Sequence, residues 1–385
     1  MFYFLNFRRK KTVLAFLGIL LSAALATLLV FLIKQDRDFD RVEQDRLHQL
    51  NEELRGTFDE EEQNKQQANK ELQEKLKKYD VYQKMKEGLQ VNALFLGNGA
   101  ATNNSSGTKQ WVFDAVALWE REFGLDVQGG NYARENTTAF YGYTMMNEYP
   151  RGLKYDIVVV CYGAEDDPAD FAFFYDGLLR SIKNQNAKCE IYCVIEANAA
   201  GYNENAETVR MLSDYYGAVC IDMIQYFRDN NVSFDTALDG LNPTPQGSDV
   251  YLDALQATLK SNLNSGRKVP ERTASYDAKA DRFDKFTFVE AKSLSKRTVT
   301  SYEYVTSDPV VGILFYHSND GGTIRIYAND KLVATVDNRA KENEGRRIDT
   351  AVAGIEFDGR TEIRIEAGTQ ENLTNIAGIT TCTKK

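Results

Sequence analysis

An uncharged apolar run near the N-terminus constrains this chain more than any other feature. Residues 12–33 contain no charged side chain and are almost entirely apolar. As an α-helix they would extend roughly 33 Å, which is enough to cross the hydrocarbon core of a bilayer. The run directly follows four basic residues, Arg8, Arg9, Lys10 and Lys11. Because an excess of positive charge marks the cytoplasmic side, we predict a cytoplasmic tail over 1–11 and a single transmembrane helix over 12–33.

A cleaved signal peptide is the alternative to this anchor. It would need a shorter apolar stretch, followed by a cleavage site of small residues. The pattern Ala24-Leu25-Ala26 lies inside the apolar run and not after it. The sequence therefore favours an uncleaved anchor, with everything beyond the helix on the outer side of a cell membrane.

Composition narrows the class of protein. Hydrophobic residues make up 43% of the chain and aromatic residues 11%, which is enough to build cores and excludes global disorder. A formal net charge of −10 argues against nucleic acid or an anionic lipid surface as the main partner. The five cysteines are odd in number and three lie in apolar runs, so we predict free, buried thiols and no disulfide framework. They are Cys161, Cys189, Cys193, Cys220 and Cys382.

Residues 34–88 are rich in Gln, Glu and Lys, and we predict a helical stalk. Leucines at 47, 50 and 54 follow helical spacing, and Leu72, Leu76 and Tyr79 do so again. Gly56 and the polar stretch 59–67 interrupt this apolar stripe. The heptads are too few for a firm coiled-coil prediction, which leaves a homodimer through the stalk open.

From residue 89 the pattern changes to short apolar runs that alternate with amphipathic segments. Nearly continuous apolar runs are typical of strands buried on both faces of a parallel sheet. We expect strands at 93–96, 156–161, 190–195 and 218–221, and helices at 111–123, 169–183, 205–216 and 248–261. This alternation predicts a three-layer, flavodoxin-like α/β domain over 89–263, with any site at the carboxyl ends of the strands.

Three loops at those strand ends carry a family resemblance. The first reads Gly97-Asn98-Gly99-Ala100, the second Tyr162-Gly163-Ala164-Glu165-Asp166, and the last runs from Asp239 through Asn242 to Gly247. Their order and spacing resemble the SGNH (GDSL-like) hydrolase family, in which the corresponding loops read Gly-Asp-Ser, Gly-x-Asn-Asp and Asp-Gly-x-His-Pro. The resemblance covers about residues 80–262 and implies a hydrolase fold that acts on acyl esters, commonly on sugars.

The catalytic set that the resemblance implies is not conserved in these loops. Gly99 stands at the position of the serine nucleophile and Asn242 at that of the histidine base. Glu165 stands at the position of the oxyanion-hole asparagine, and Glu135 near that of the glycine. Asp239 is the one member retained. Ser105 and Ser106 follow Gly99 too late to take the nucleophile position.

The histidine content agrees with a loss of this chemistry. The sequence has two histidines, His48 in the stalk and His317 near the C-terminus, and a Ser-His-Asp hydrolase needs a base within hydrogen-bond reach of its nucleophile. We therefore predict a catalytically degenerate domain with no catalytic residue at the five vestigial positions.

An acidic cleft is expected where the substrate pocket of the family lies. The ligand-binding candidates are Asn98, Glu165, Asp166, Asp239 and Asn242. Such a cleft could bind a cation or accept hydrogen bonds from sugar hydroxyls. Alternatively, Asp166 and Asp167 cap the helix that begins at Pro168. No cofactor or metal is predicted.

The C-terminal part shows a different periodicity. After a linker over 264–284, residues 285–385 alternate apolar and polar side chains with a period of two, as in 323–327 and 362–366. The pairs Asn319-Asp320 and Asn329-Asp330 are turn signals. We predict an antiparallel, jelly-roll-like β-sandwich, whose tyrosines stack on sugar rings or pack across strands.

Three functions remain open on these grounds. The first is a membrane-anchored pseudoenzyme that binds a glycan or a protein partner in envelope polysaccharide assembly or modification. The second is an O-acyl esterase or acetyltransferase with an unconventional site. The third is a structural protein that acts through the stalk and the β domain.

Overall fold

The computed structural model describes residues 62–102, 111–134, 137–148, 154–276, 283–340, 347–354 and 357–384. The chain divides into two compact units, Met1–Lys77 and Lys78–Lys385. The predicted tail and the predicted transmembrane helix over 12–33 lie outside the described residues. Among the residues that are described, none belongs to a helix with the length and apolar character needed to cross a membrane.

The described part of the predicted stalk is a helix, α1, over residues 62–78. Its side chains are exposed along nearly the whole length, and Leu72 of the apolar stripe is 39% exposed. A helix this polar gains little from tertiary packing of its own side chains. A homodimer through the stalk stays a prediction.

The end of the predicted stalk is part of the first domain instead. Helix α2 (Val81–Lys86) begins with a capping box, in which Asp80 and Gln83 each accept a hydrogen bond from the other's backbone N–H. Its inward face is fully buried in the core and consists of Val81, Tyr82 and Met85. The domain therefore begins near residue 78 and not at the predicted boundary of 89.

A buried ion pair explains why this boundary was misplaced. Lys84 of α2 is buried, and its Nζ lies 2.6 Å from Asp156 Oδ1. The other oxygen of Asp156 accepts a hydrogen bond from Asn92 N at 3.0 Å. Because Lys84 lies in a charged stretch, the sequence predicts a solvated side chain. Its partner Asp156 is 72 positions away, so sequence spacing does not indicate the pair. The charged residues of α2 thus favour the stalk assignment, although the family resemblance already begins near residue 80.

The first domain is built on a parallel five-stranded sheet in the order β2-β1-β3-β4-β5. This is the strand order of flavodoxin-like sheets, and it confirms the predicted α/β class. The expected runs all form strands, although β2 was not predicted. Two glycines weaken its β-strand signal, and as an edge strand it needs no continuous apolar run. The strands are β1 (Val91–Gly97), β2 (Val127–Asn131), β3 (Ile157–Cys161), β4 (Glu190–Ile195) and β5 (Val219–Asp222).

Helices cover both faces of this sheet. Alternate residues of β1 enter different cores. Phe95 packs with the helices Trp111–Phe123 and Pro245–Ser265, whereas Leu94 and Leu96 pack with the helices Ala139–Glu148 and Pro168–Gln185. This arrangement gives the three layers that the sequence predicts. The further helices are α3 (Gly99–Thr102), α4 (Trp111–Phe123), α5 (Ala139–Glu148), α6 (Pro168–Gln185), α7 (Glu204–Tyr216), α8 (Met223–Asp229), α9 (Phe234–Ala237) and α10 (Pro245–Ser265). A short ladder, β6 (Leu238–Asp239) with β7 (Asn242–Pro243), precedes α10.

The C-terminal region consists of two antiparallel sheets around a shared apolar core. Their orders are β13-β12-β15-β10-β9 and β14-β11-β16-β8. The predicted turn at Asn329-Asp330 is confirmed, with φ of 47° and 63°, and it joins β12 to β13. The strands are β8 (Phe283–Glu290), β9 (Ser295–Thr298), β10 (Ser301–Thr306), β11 (Val310–His317), β12 (Thr323–Ala328), β13 (Lys331–Asp337), β14 (Arg347–Gly354), β15 (Thr361–Ala367) and β16 (Ile376–Lys384), with α11 (Gln370–Leu373) before the last.

The second domain packs on α5 of the first. Gly312 of β11 lies so close to Phe140 that a Cβ at this glycine would overlap the ring. Val310 and Cys382 belong to the same apolar cluster as Phe140 and Tyr143. The contact therefore attaches the β region to the helix that follows the β2 loop.

Part of the predicted linker is also fixed to the first domain. Pro270 O accepts a hydrogen bond from the buried Lys183 Nζ at 2.7 Å, and Ser275 O accepts one from Tyr215 OH at 3.0 Å. Helix α10 extends to Ser265, beyond its predicted end at 261. The described linker is thus a packed segment and not a free tether.

The cysteines are free, as the sequence predicts. Four of them are buried, whereas Cys220 is exposed, contrary to the expectation for its strand. Cys220 lies on β5, at the edge of the sheet, where only part of the strand is covered.

Candidate functional site

The first candidate loop lies at the carboxyl ends of β1 and β3. Asn98 N donates to Cys161 O at 3.1 Å, and Asn98 Oδ1 accepts from Ala100 N at 3.1 Å. These bonds fix the turn from β1 into α3, and Gly99 is the first residue of that helix. The site thus lies at the edge of the sheet that the α/β pattern indicates.

Gly99 and Asn242 are in direct contact. A Cβ at Gly99 would overlap Asn242 Oδ1 and would lie 3.1 Å from Asn242 Cγ. The ladder of β6 with β7 places Asn242 opposite Asp239, whose side chain is exposed. The two positions at which the family resemblance expects a nucleophile and its base are therefore adjacent, and neither carries a reactive group.

Asp166 has a different role from the one predicted. Asp167 caps α6, since its Oδ1 accepts from Ala169 N at 2.9 Å. Asp166 is buried, and its carboxylate accepts from Ala139 N at 2.7 Å and Gly163 N at 3.0 Å. The prediction of a cap at Pro168 is thus confirmed for Asp167 and wrong for Asp166. Asp166 instead joins the β3 loop to the first residue of α5, which sequence spacing does not indicate.

Glu196 is a site residue that sequence reasoning missed. It follows β4 directly and is 5% exposed. Its Oε2 accepts from Ala164 N at 2.7 Å, whereas its Oε1 has no hydrogen-bond partner within the described part of the chain. The signal was available, because a carboxylate directly after a continuous apolar run lies at the functional edge of a parallel sheet.

Two buried carboxyl groups at this edge have raised pKa values. Burial raises the pKa of Glu196 to about 8, against the hydrogen bond from Ala164 and the nearby Asn98 amide, which lower it. Burial likewise raises the pKa of Asp166 to about 7, although its two backbone hydrogen bonds lower it. Each is raised further by the exposed Glu165. The acidic cluster therefore consists of Glu165, Asp166 and Glu196, and Asp239 is exposed on the neighbouring hairpin.

We expect Glu196→Gln to stabilise the protein at alkaline pH. The pKa of Glu196 is raised in the folded state, so its contribution is fully present below its ordinary pKa of 4.5 and is lost as the pH rises through about 8. A glutamine cannot ionise, so the variant should melt several degrees above the wild type at pH 9 and close to it at pH 5. Thermal melting across this range measures the effect. Glu204→Gln, at an exposed position on α7, is the control, and equal pH profiles for wild type and Glu196→Gln would contradict the assignment.

Three buried polar atoms around the degenerate centre have no hydrogen-bond partner among the residues that the structure describes. They are Asn98 Nδ2, Glu196 Oε1 and Asn242 Oδ1. The Asn98 amide is close enough to Glu196 to favour the charged form of that carboxyl group, although neither Asn98 Nδ2 nor Glu196 Oε1 is at hydrogen-bond distance of another described group. Such atoms are costly to bury unless a ligand or water satisfies them.

A pocket opens beside this cluster. It is a small cleft between the β3 loop, the end of β4 and the start of α7. Glu196, Asn198 and Asn203 supply polar groups, whereas Ile195 and Val209 are among its apolar walls.

The remaining predicted groups stand apart or lie outside the described residues. Glu135, Ser105, Ser106 and His48 fall in the parts that the structure does not describe. His317 lies on β11 of the second domain, where its ring packs on Phe315. Within the described ranges, no group of three or more His, Cys, Asp or Glu side chains is arranged to hold a metal ion.

Comparison with known proteins gives matches at the level of structure. The sequence matches no protein-family model and no curated protein. A two-domain esterase (CEX) active on acetylated mannans, crystallised with mannopentaose, has a TM-score of 0.64 at 13% identity, over 79% of this chain and 94% of that one. The chain has the SGNH (GDSL-like) hydrolase fold.

The similarity to the mannan esterase covers more residues than the SGNH domain contains. It therefore extends into the β domain. A second structure of this two-domain esterase gives a TM-score of 0.64 at 14% identity. Axe2, an acetylxylan esterase from Geobacillus stearothermophilus, has a TM-score of 0.38 at 15% identity, over 45% of this chain and 95% of that one. At this level of identity the comparison shows the fold of the chain.

Proposed function

We propose that this protein is a membrane-anchored pseudoenzyme whose SGNH domain binds a glycan during the assembly or modification of an envelope polysaccharide. The observation that carries the proposal is the contact between Gly99 and Asn242. A glycine has no side chain to attack an ester, and an asparagine cannot take up a proton near neutral pH. The positions of the nucleophile and the base are occupied by a glycine and an asparagine that lie against each other.

The three unpaired polar atoms support a polyhydroxylated ligand. Asn98 Nδ2 is a donor and Asn242 Oδ1 an acceptor, and a sugar hydroxyl can complement both kinds of atom. The similarity to an esterase active on acetylated mannans supports the same class of ligand. An outer-face location follows from the predicted anchor over 12–33 and its basic flank.

A binding titration tests the proposal. We expect the full chain, purified in detergent, to bind acetylated manno-oligosaccharides, and Asn98→Ala to weaken binding about tenfold through loss of one buried hydrogen bond. Asn230→Ala removes an exposed asparagine at the end of α8 and should change nothing. Absence of binding, or equal binding by wild type and Asn98→Ala, would overturn the proposal.

An O-acyl esterase or acyltransferase is the second candidate. It is favoured by the esterase neighbours and by two buried carboxyl groups, Asp166 and Glu196, with pKa values of about 7 and 8. Groups with such pKa values exchange protons at neutral pH and suit general acid–base chemistry. Ester turnover by the wild type distinguishes this candidate from the first.

A further inference from the structure

Two cysteines lie side by side on neighbouring strands of the parallel sheet. Cys193 of β4 and Cys220 of β5 are partners in the register of these strands, and both are free thiols. Neighbouring strands lie about 4.8 Å apart, and side chains at paired positions point to the same face of the sheet. A disulfide needs its two Cα atoms about 4.4–6.8 Å apart. The backbone therefore already provides the Cα spacing that a bond between these two thiols requires.

The two thiols also share their surroundings. Burial raises the pKa of Cys193 to about 11, and although Cys220 is exposed at the sheet edge, its thiol is packed closely enough that burial raises its pKa to about 12. Cys193 raises the pKa of Cys220 further, whereas Ser213 of α7 lowers the pKa of both thiols. Both sulfurs are therefore close to the same serine, one on the buried side and one at the surface.

The position of Cys220 on an edge strand favours a reversible bond. The Cβ atoms of a disulfide are about 3.5–4.5 Å apart, which is closer than the usual spacing of neighbouring strands. Formation of the bond therefore requires β5 to move slightly toward β4. This is feasible because β5 is the last strand in the order of its sheet. Strained or exposed disulfides are reduced more readily than structural ones.

The end of β5 is connected to the pocket at the end of β4. Asp222, two positions after Cys220, accepts a hydrogen bond from Tyr202 OH at 3.0 Å and pairs with Arg210 of α7. Tyr202 belongs to the segment 198–203, which we call the pocket loop because three of its residues line the pocket. A shift of β5 is therefore transmitted to the pocket loop through Asp222.

We propose that Cys193 and Cys220 form a reversible disulfide that fixes β5 against β4 and alters the pocket loop. The two thiols would thus make the loop responsive to the redox conditions around the protein. The predicted anchor over 12–33 would place them outside the cytoplasm, where disulfides form and persist. The proposal does not depend on which ligand the SGNH domain binds.

The oxidation is an exchange with a small disulfide such as oxidised glutathione. The thiolate of the exposed Cys220 attacks one sulfur of the small disulfide, forms a mixed disulfide and releases one glutathione thiolate. The thiolate of Cys193 then attacks the sulfur of Cys220 and releases the second glutathione. The two protein thiols lose two electrons and two protons, and one molecule of oxidised glutathione gains them as two thiols.

Exchange with glutathione tests the proposal on the full chain in detergent. The protein is equilibrated with mixtures of reduced and oxidised glutathione, quenched with acid, alkylated and mapped by peptide mass. We expect a bond between Cys193 and Cys220 that is half formed in mixtures in which a structural disulfide stays fully oxidised. Hydrogen exchange of the oxidised protein should change in β5 and in the pocket loop. The proposal is overturned if glutathione stays attached to Cys220 without a bond to Cys193, if no bond forms in any mixture, or if hydrogen exchange is the same in both forms.

Cysteine variants separate the two steps of the exchange. Cys193→Ser should stop at the mixed disulfide on Cys220, whereas Cys220→Ser should acquire no glutathione on Cys193. Cys161→Ala is the control, because Cys161 lies in the core on the other face of the sheet, and it should form the bond as the wild type does. Thermal melting checks the fold of each variant. Glutathione on Cys193 in Cys220→Ser, or failure of the bond in a folded Cys161→Ala, would contradict the assignment.

The pH dependence of the exchange provides a further test. Since thiolates are the reacting species and the pKa values of the two thiols are about 11 and 12, the thiolate fraction is small at neutral pH. The rate of bond formation should therefore rise about tenfold per pH unit between pH 7 and pH 9. An exposed, unpaired cysteine would level off near its ordinary pKa of about 8.5, and such a profile would contradict the shared, packed environment of the two thiols.

Discussion

A chain truncated to begin at residue 89 is expected to fail to fold, whereas one that begins at residue 78 should fold. The shorter chain lacks α2, and with it the buried side chains of Val81, Tyr82 and Met85. Each fully buried apolar side chain of this size contributes roughly 1.5–3 kcal/mol. The three side chains together contribute roughly 4.5–9 kcal/mol, which is comparable to the whole stability of a typical domain.

The same truncation leaves a buried charge without its partner. Asp156 is 5% exposed and loses Lys84, and an unpaired buried charge costs about 3–5 kcal/mol. Circular dichroism and thermal melting of the two fragments measure the difference. A cooperative thermal unfolding transition in the fragment that begins at residue 89 would contradict this prediction. It would show that α2 belongs to the stalk and that the first domain folds without it. Lys84→Ala in the longer fragment isolates the contribution of the ion pair.

Gly247→Ala is expected to be the most damaging single substitution near the site. A Cβ at Gly247 would overlap the carbonyl oxygen of Ala237 and would lie 3.0 Å from its carbon. This neighbour is backbone and cannot rotate away, so α10 would have to shift from the loop that carries Asn242. Overpacking of this kind costs about 1–3 kcal/mol, and here the displaced segment is the site itself.

Gly266→Ala is the matched control at the other end of α10. Gly266 has φ of 68° and open space at its Cβ position, so alanine there meets only backbone strain of about 1 kcal/mol. Denaturant unfolding should rank Gly247→Ala well below Gly266→Ala in stability, and only Gly247→Ala should weaken glycan binding. The reverse ranking would mean that the start of α10 is free to move.

The sheet of the first domain was predictable because its strands are buried on both faces. The runs that became β1, β3, β4 and β5 are nearly continuous apolar segments, which few other structures explain. By contrast, β2 contains Gly129 and Gly130 and lies at the sheet edge, so it has no such signal. Helix α5 was also missed, although it supports the second domain through Phe140.

The candidate site was predictable where motif order determines neighbours. Gly99 and Asn242 lie 143 positions apart in the sequence, and the family resemblance alone predicts that they are neighbours in the fold. The burial of Glu196 and the hydrogen bonds that Asp166 accepts depend on how the loops fold over the sheet edge. The hydrogen bond from Ala139 N to Asp166, for example, joins two segments whose spacing in the sequence follows no periodic pattern. Local sequence rules therefore cannot predict it.

Ester hydrolysis by the full chain tests the central claim most directly. The assay uses a small activated acetate ester and acetylated manno-oligosaccharides, with Gly99→Ser/Asn242→His and Ser105→Ala/Ser106→Ala beside the wild type. The account predicts that the wild type releases acetate no faster than buffer. Turnover by the wild type that Glu196→Gln or Ser105→Ala/Ser106→Ala abolishes would contradict it and would identify an esterase with an unconventional site.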